Sequence, residues 1–278
     1  MSLVTMKELL KRAEEKNIAV GAFNVANMEM LIGAITAAEK LNTPIIIQIA
    51  ESRLAYSPLY MIAPMMVEAA RKASVPVAVN FDHGKTRENI GEALRYGFTS
   101  VMFDGSALPL EDNISKTNEV AAMAKKNGAT VEAELGVLCG NEGDGDVQKS
   151  LYTNPDDAVL FAEKTDIDCL AVAIGNAHGK YVKTPNLQFD ILKEIHERVD
   201  LPLVLHGGTG ISPEDFRKCI TLGIRKINIA TANFEACMTG AFNLFEGDGP
   251  RNYFTMNEAM VESVRETVEN HIRIFSFM

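Results

Sequence analysis

An excess of positive charge, a long apolar run and paired cysteines are all missing from this 278-residue chain. The formal net charge is −10 at pH 7, which argues against nucleic acid or an anionic membrane as the main partner. A local basic pocket for a small phosphorylated ligand is compatible with that balance. No run of about 18 apolar residues is present, so no membrane span is expected. The four cysteines, Cys139, Cys169, Cys219 and Cys237, show no CxxC spacing, and reduced buried thiols are expected rather than disulfides or a cysteine–zinc cluster. The segment 1–7 lacks the apolar core of a signal peptide, so the expected location is the cytoplasm. No linker, low-complexity segment or short-period repeat divides the chain, and a single domain over 1–278 is expected.

What is there is an ordinary globular composition, 47% hydrophobic and 23% charged. Short apolar runs alternate with longer amphipathic ones. Strands are expected at 18–23, 44–50, 75–81, 100–103, 129–134, 169–174, 203–206 and 224–229. Helices are expected between them, with an opening helix capped by Thr5 and helical sequence to the end, broken near 247–250. Eight β-then-α units in a chain of this length predict a (β/α)8 TIM barrel with additional C-terminal helices. The alternative, an open doubly wound sheet, usually carries GxGxxG after its first strand, and none follows Phe23.

In such a barrel the chemistry gathers at the C-terminal ends of the strands. Three of the five histidines fall there: His83 after strand three, His178 after strand six and His206 at the end of strand seven. His196 and His271 lie in helices and are expected at the surface. Three converging histidines with an open fourth position form a catalytic zinc arrangement. Such an ion either activates water or polarises a carbonyl. The glycine turn Gly207-Gly208-Thr209-Gly210 and the segment Asn228 to Thr231 occupy the usual barrel phosphate site and favour the carbonyl chemistry. A zinc hydrolase would have no use for them.

Carboxylates complete the set. Asp82, beside His83, is placed to exchange a proton with substrate or to orient a histidine. Glu132 and Glu134 share one face of strand five, and two carboxylates inside a barrel need a cation or hydrogen bonds. Glu134, nearer the strand end, reads as a supporting or alternative metal ligand. The loop 136–150, with Gly140, Gly143 and Gly145, has the composition of a lid, and Glu142 in it could swing in as a base.

Together these residues resemble the class II, zinc-dependent ketose-bisphosphate aldolases of the fructose- and tagatose-bisphosphate group. The resemblance covers nearly the whole chain. It rests on Gly21-Ala22-Phe23-Asn24, Asp82-His83-Gly84, Ser100-Val101-Met102-Phe103-Asp104-Gly105-Ser106, Val131-Glu132-Ala133-Glu134-Leu135-Gly136, His178-Gly179, Leu205-His206-Gly207-Gly208-Thr209-Gly210-Ile211 and Lys226-Ile227-Asn228-Ile229-Ala230-Thr231. It implies that His83, His178 and His206 bind Zn2+, with Glu134 as a supporting or alternative ligand. It implies that Asp82 exchanges a proton at the C4 hydroxyl of a ketose 1,6-bisphosphate, and that Glu142 does so at C3 of dihydroxyacetone phosphate. Gly179, Gly207, Gly208, Thr209, Asn228, Ala230 and Thr231 would hold the dihydroxyacetone phosphate half, beside a monovalent cation (Na+ or K+). Arg251 matches an arginine that reaches the distal phosphate in a neighbouring subunit, which implies a homodimer or homotetramer. The chain departs from the family pattern after strand two, where Ala50-Glu51-Ser52-Arg53-Leu54 replaces a serine and a small Gly-Ala turn. The resemblance also admits an aldolase with a different aldehyde partner, or a non-catalytic subunit of an aldolase complex.

Overall fold

The computed structural model describes residues 2–138, 152–181, 185–247 and 249–278. Helix α1 (Met6–Lys16) opens on a capping box: Thr5 Oγ1 accepts from the Glu8 N–H, and the Glu8 carboxylate accepts from the Thr5 N–H. Its buried residues Met6, Leu9, Leu10 and Ala13 follow helical spacing and form one face.

Eight parallel strands follow and close in sequence order: β1 (Val20–Asn24), β2 (Ile45–Ala50), β3 (Val77–Gly84), β4 (Ser100–Phe103), β5 (Thr130–Leu135), β6 (Cys169–Val172), β7 (Leu203–Leu205) and β8 (Ile224–Ile229). Helices α2 (Met28–Lys40), α3 (Leu59–Lys72), α4 (Arg87–Arg95), α5 (Leu110–Lys126), α6 (Pro155–Lys164), α7 (Phe189–Arg198) and α8 (Pro213–Thr221) separate them. Helix α9 (Thr231–Glu246) and helix α10 (Tyr253–Phe275) complete the chain, and α10 packs against α2, α9, α8 and β1. The expected TIM barrel with additional C-terminal helices is the observed fold. No helix among the described residues is long and apolar enough to cross a membrane.

The barrel interior is apolar at its floor and polar at its mouth. The buried face of α1 packs against Val20, Ala22, Ile46, Ala78, Cys169, Ala171 and Val204, which closes the N-terminal end. One pleat further along the strands the inward positions turn polar: Asn24, Gln48, Asn80, Glu132, Lys226 and Asn228 are all buried. The strong, parallel-strand burial expected of a barrel therefore gives way to hydrogen-bonding side chains where the site begins.

Two expectations are corrected. Strand β3 runs on through Asp82, His83 and Gly84, because an irregularity shifts its register against β4: Phe81 pairs with Val101, but Gly84 pairs with Phe103. His271 is not at the surface. Its ring lies 5.7 Å from that of Phe275, 6.3 Å from Phe216 and 6.5 Å from Phe23, and Nδ1–H donates to the Thr267 carbonyl. Burial lowers its pKa. It flanks the apolar stripe Val264, Val268, Ile272 and Phe275, and the packing of α10 over the barrel covers it. His196 is exposed, as expected.

Candidate active site

Strict strand alternation would send Asp82 and His83 to opposite faces of β3. The register shift brings both to the barrel mouth. His83 takes a left-handed backbone conformation (φ 45°) to do so, which costs conformational energy in a non-glycine residue. Gly84 follows it where a Cβ would meet the Met102 carbonyl at 2.6 Å, so only glycine fits the kink. His206 stands immediately past β7, and His178 stands in the connection after β6.

The three rings converge. Centroid separations are 4.6 Å for His83–His206, 4.7 Å for His83–His178 and 6.0 Å for His178–His206. One nitrogen from each lies within 4.8 Å of the others. His206 Nδ1 is only 2.9 Å from His83 Nε2.

Carboxylates hold the outer nitrogens. Glu132 Oε1 is 2.7 Å from His206 Nε2, and Asp104 Oδ2 is 3.3 Å from His83 Nδ1. A carboxylate takes the N–H of an imidazole and leaves a lone pair on the opposite nitrogen. With those outer N–H groups held, the inner nitrogens present lone pairs to one space, an arrangement suited to a cation. His178 Nε2 is buried and has no hydrogen-bond partner among the described residues. Burial, and then the neighbouring imidazoles, push the pKa of both His178 and His206 well below the ordinary value, so a proton is a poor occupant. The donor set fits a divalent ion with imidazole preference.

His83, Asp104 and Glu134 also place three ligand atoms within 4.8 Å of one another. Burial and then the Asp104 charge push Glu134 well above the carboxylate range. Burial works the same way on Asp104, but contacts from His83 and Ser106 outweigh it and hold that group well below its ordinary value. Glu134 Oε2 lies 3.7 Å from His83 Nδ1.

Asp82 is fully buried and accepts from two amides, Asn24 Nδ2 at 3.0 Å and Asn228 Nδ2 at 3.2 Å. Gln48 Nε2 donates to Asn24 Oδ1 at 2.8 Å, and Lys226 Nζ donates to Asn228 Oδ1 at 2.6 Å, so both amides are oriented. Asp82 makes no hydrogen bond to a described histidine.

The loops after β6, β7 and β8 are tied together. A Cβ on Gly207 (φ 61°) would sit 2.0 Å from the Ala177 carbonyl oxygen, so the turn admits only glycine. Gly208 N–H donates to the Asn228 carbonyl at 3.1 Å, and Thr209 Oγ1 accepts from the Ala232 N–H at 3.0 Å. Helix α9 starts at Thr231, with Ala230 at its cap position, so that Thr209 rather than the cap residue accepts from its first turn. The N-terminus of a long helix beside a glycine turn is an anion cradle. Gly179 (φ 83°) lies on the adjoining connection. Tyr181 bridges two of these loops: its hydroxyl accepts from the Ala177 N–H and donates to the Gly207 carbonyl, each at 2.9 Å. Burial pushes that phenol up to about 12.

Some sequence candidates are not brought to this cluster. Glu142 lies outside the described residues. Arg251 is exposed between α9 and α10, where its guanidinium donates to the Gly247 carbonyl. In the altered loop after β2, Glu51 accepts from the N–H groups of Lys85 and Thr86, just before α4, and the Arg53 guanidinium lies 5.3 Å from the centre of the Phe234 ring. Residues with a place here that the sequence did not assign are Lys226, Asp104, Asn176 and Tyr181. Asn176 Nδ2 donates to the His206 carbonyl at 3.0 Å. Asp104 and Asn176 were visible as polar residues after strands; nothing in its spacing marks Tyr181.

The family model for class-II fructose-bisphosphate aldolase matches residues 4–277. Fructose-bisphosphate aldolase of Staphylococcus aureus is 38% identical over 99% of this chain and 98% of its own length. A Bacillus subtilis protein named "Probable fructose-bisphosphate aldolase" is 43% identical over 84% of this chain and 83% of its own. The crystal structure of the YdjI aldolase from Escherichia coli K12 superposes with a TM-score of 0.88 at 36% identity, covering 98% of this chain and 97% of that one.

Because the folded pKa values of His178 and His206 are lowered, protons compete for their nitrogens only below the ordinary value of 6.5. In an acid titration followed by a metal-sensitive dye, half-release of bound metal is therefore expected below pH 6.5. Half-release at or above that pH would contradict the reading of these histidines as neutral ligands.

Proposed function

The chain belongs to the class II fructose-bisphosphate aldolase family and is a carbon–carbon lyase, and on that premise we propose that it is a zinc-dependent enzyme cleaving a ketose 1,6-bisphosphate (fructose or tagatose 1,6-bisphosphate) to dihydroxyacetone phosphate and glyceraldehyde 3-phosphate. The observation that supports this most is the juxtaposition of three histidine nitrogens within 4.8 Å with a buried, doubly hydrogen-bonded Asp82. His83, His178 and His206 would hold the zinc, which supplies electrostatic stabilisation of the negative charge that develops on the substrate carbonyl oxygen.

In cleavage, Asp82 takes the proton of the C4 hydroxyl, and that oxygen becomes the aldehyde oxygen as C3–C4 breaks. The two amides that donate to Asp82 fix the orientation of its carboxylate towards the site. Glu142 returns a proton to C3 of the departing half. Gly179, Gly207, Gly208, Thr209, Ala230 and Thr231 bind the phosphate of dihydroxyacetone phosphate, with Na+ or K+ beside the Gly179 and Gly207 backbone, and Asn228 lies near the reacting carbonyl. The enzyme works in the cytoplasm.

A homodimer or homotetramer is part of the proposal. Helix α9 exposes Met238, Phe242 and Phe245 at helical spacing, and Tyr253 and Phe254 are exposed at the start of α10. Arg251 lies between these two apolar groups and would reach the distal phosphate of a neighbouring subunit. Arg53 favours a second reading in which the aldehyde half is shorter, longer or lacks phosphate. It replaces a small residue beside the end of β2, where Ala50 is the register partner of Asp82, and it is stacked over Phe234.

Three measurements check these assignments. Asp82→Asn should lower kcat by about 100-fold or more with zinc content unchanged; retained turnover would remove Asp82 from the proton transfer. Arg53→Ala should alter the relative kcat/KM among phosphorylated and unphosphorylated aldehydes in the synthetic direction, whereas an unchanged ranking would leave Arg53 no part in specificity. Light scattering should give an oligomer for the native chain and a smaller species for Phe242→Asp. A monomeric native chain would contradict both the interface and the proposed reach of Arg251.

A further inference from the structure

Lys226 is an ammonium group with no access to solvent, at the centre of the barrel, and the proposed chemistry gives it no task. It touches two groups. Its Nζ donates to Asn228 Oδ1 at 2.6 Å, and it lies 2.8 Å from Glu132 Oε2. The second contact is an ion pair rather than an aligned hydrogen bond. Glu132 is also fully buried, and its other oxygen is 2.7 Å from His206 Nε2.

Each contact removes an ambiguity. An amide can present either its oxygen or its NH2 to a neighbour. With Lys226 on Oδ1, Asn228 must turn Nδ2 towards Asp82, where it donates at 3.2 Å. The reversed amide would set an oxygen against a carboxylate. A neutral imidazole likewise carries its proton on either nitrogen. With Glu132 held as an acceptor at Nε2, that proton stays there, and Nδ1 is left with a lone pair directed at His83 Nε2, 2.9 Å away.

We propose that Lys226 is a positioning residue that sets two halves of the site at once: through Glu132 it fixes His206 as the Nε2–H tautomer, and through Asn228 it fixes the amide that holds Asp82. The hub lies one pleat below the mouth, between the apolar floor and the reacting groups. It is not in contact with substrate and takes no part in bond making. A lysine is suited to this place because its compact ammonium can serve two acceptors on different strands, β5 and β8. The proposal rests on the metal-site reading given above.

The test uses Lys226→Met, Glu132→Gln and the double variant, in the full chain. Methionine fills similar space without a donor. The double variant removes a buried ion pair as a unit, which avoids leaving one charge stranded, so it carries the test if Lys226→Met does not fold. Zinc affinity is read by chelator competition, and the His206 tautomer by 15N chemical shifts of histidine-labelled protein. The native chain should show the Nε2–H tautomer. Lys226→Met and Glu132→Gln should each weaken zinc binding by about 10–100-fold, with the double variant no weaker than Glu132→Gln alone. At saturating zinc, Lys226→Met should still lower kcat more than tenfold, and should do so no further in an Asn228→Ala background. Native zinc affinity and an unshifted tautomer in the folded double variant would overturn the proposal. So would an Nδ1–H tautomer of His206 in the native chain. If the native chain bound no divalent ion, the metal-site reading would fail on its own, and the tautomer measurement would still decide the role of Lys226.

Discussion

The close approach of His206 Nδ1 and His83 Nε2, 2.9 Å apart, is the constraint from which the upper half of the barrel follows. Two imidazole lone pairs cannot face each other in a buried space without a cation between them. Glu132 and Asp104 hold the outer nitrogens and so direct those lone pairs inward. A proton there is opposed by burial, since the pKa of His206 is pushed down. A divalent ion satisfies all of these groups together. The left-handed backbone at His83 and the register shift in β3 are the local conformational cost of bringing that ring into the cluster.

The rest of the barrel can be understood as support for that cluster. Helix α1 covers the floor with Met6, Leu9, Leu10 and Ala13, which sets an apolar layer beneath the buried polar one. Above the floor, Gln48, Asn24, Asp82, Asn228, Lys226 and Glu132 form a continuous set of polar contacts around the inner wall. A connected buried polar network rigidifies a site, and each member here orients the next. The loops after β6 and β7 are joined by Tyr181 and Asn176, so the anion cradle is tied to the backbone of His206. The histidine cluster, Asp82 and the glycine turn after β7 are therefore held by one connected structure rather than by separate loops.

Much of this was legible in the sequence, for physical reasons that can be named. Buried parallel strands read as short apolar runs, so the eight βα units and the closed barrel followed from periodicity. A histidine at the end of such a run must lie at the mouth, which placed His83, His178 and His206 together. What periodicity could not reach were relations between distant positions. Glu132 reads in the sequence only as a carboxylate needing a cation or hydrogen bonds, because its partner Lys226 lies on β8 and its other partner His206 follows β7. The kink that turns His83 beside Asp82 is a register shift between two strands, and neither strand alone encodes it. His271 was placed at the surface because a helix's own pattern does not reveal that α10 is wrapped over the barrel. Tyr181 sits in an irregular connection, where no spacing marks a hydroxyl that bridges two backbones.

Metal-dependent carbon–carbon cleavage is the most direct test of the proposed centre. Fructose 1,6-bisphosphate and tagatose 1,6-bisphosphate should be assayed side by side for triose-phosphate production, with chelator and zinc add-back. Release from at least one of the two sugars should stop with chelator and return with zinc. Cleavage that persists in the chelated, demonstrably metal-free protein, or none from either sugar by the zinc-loaded protein, would contradict the proposed centre.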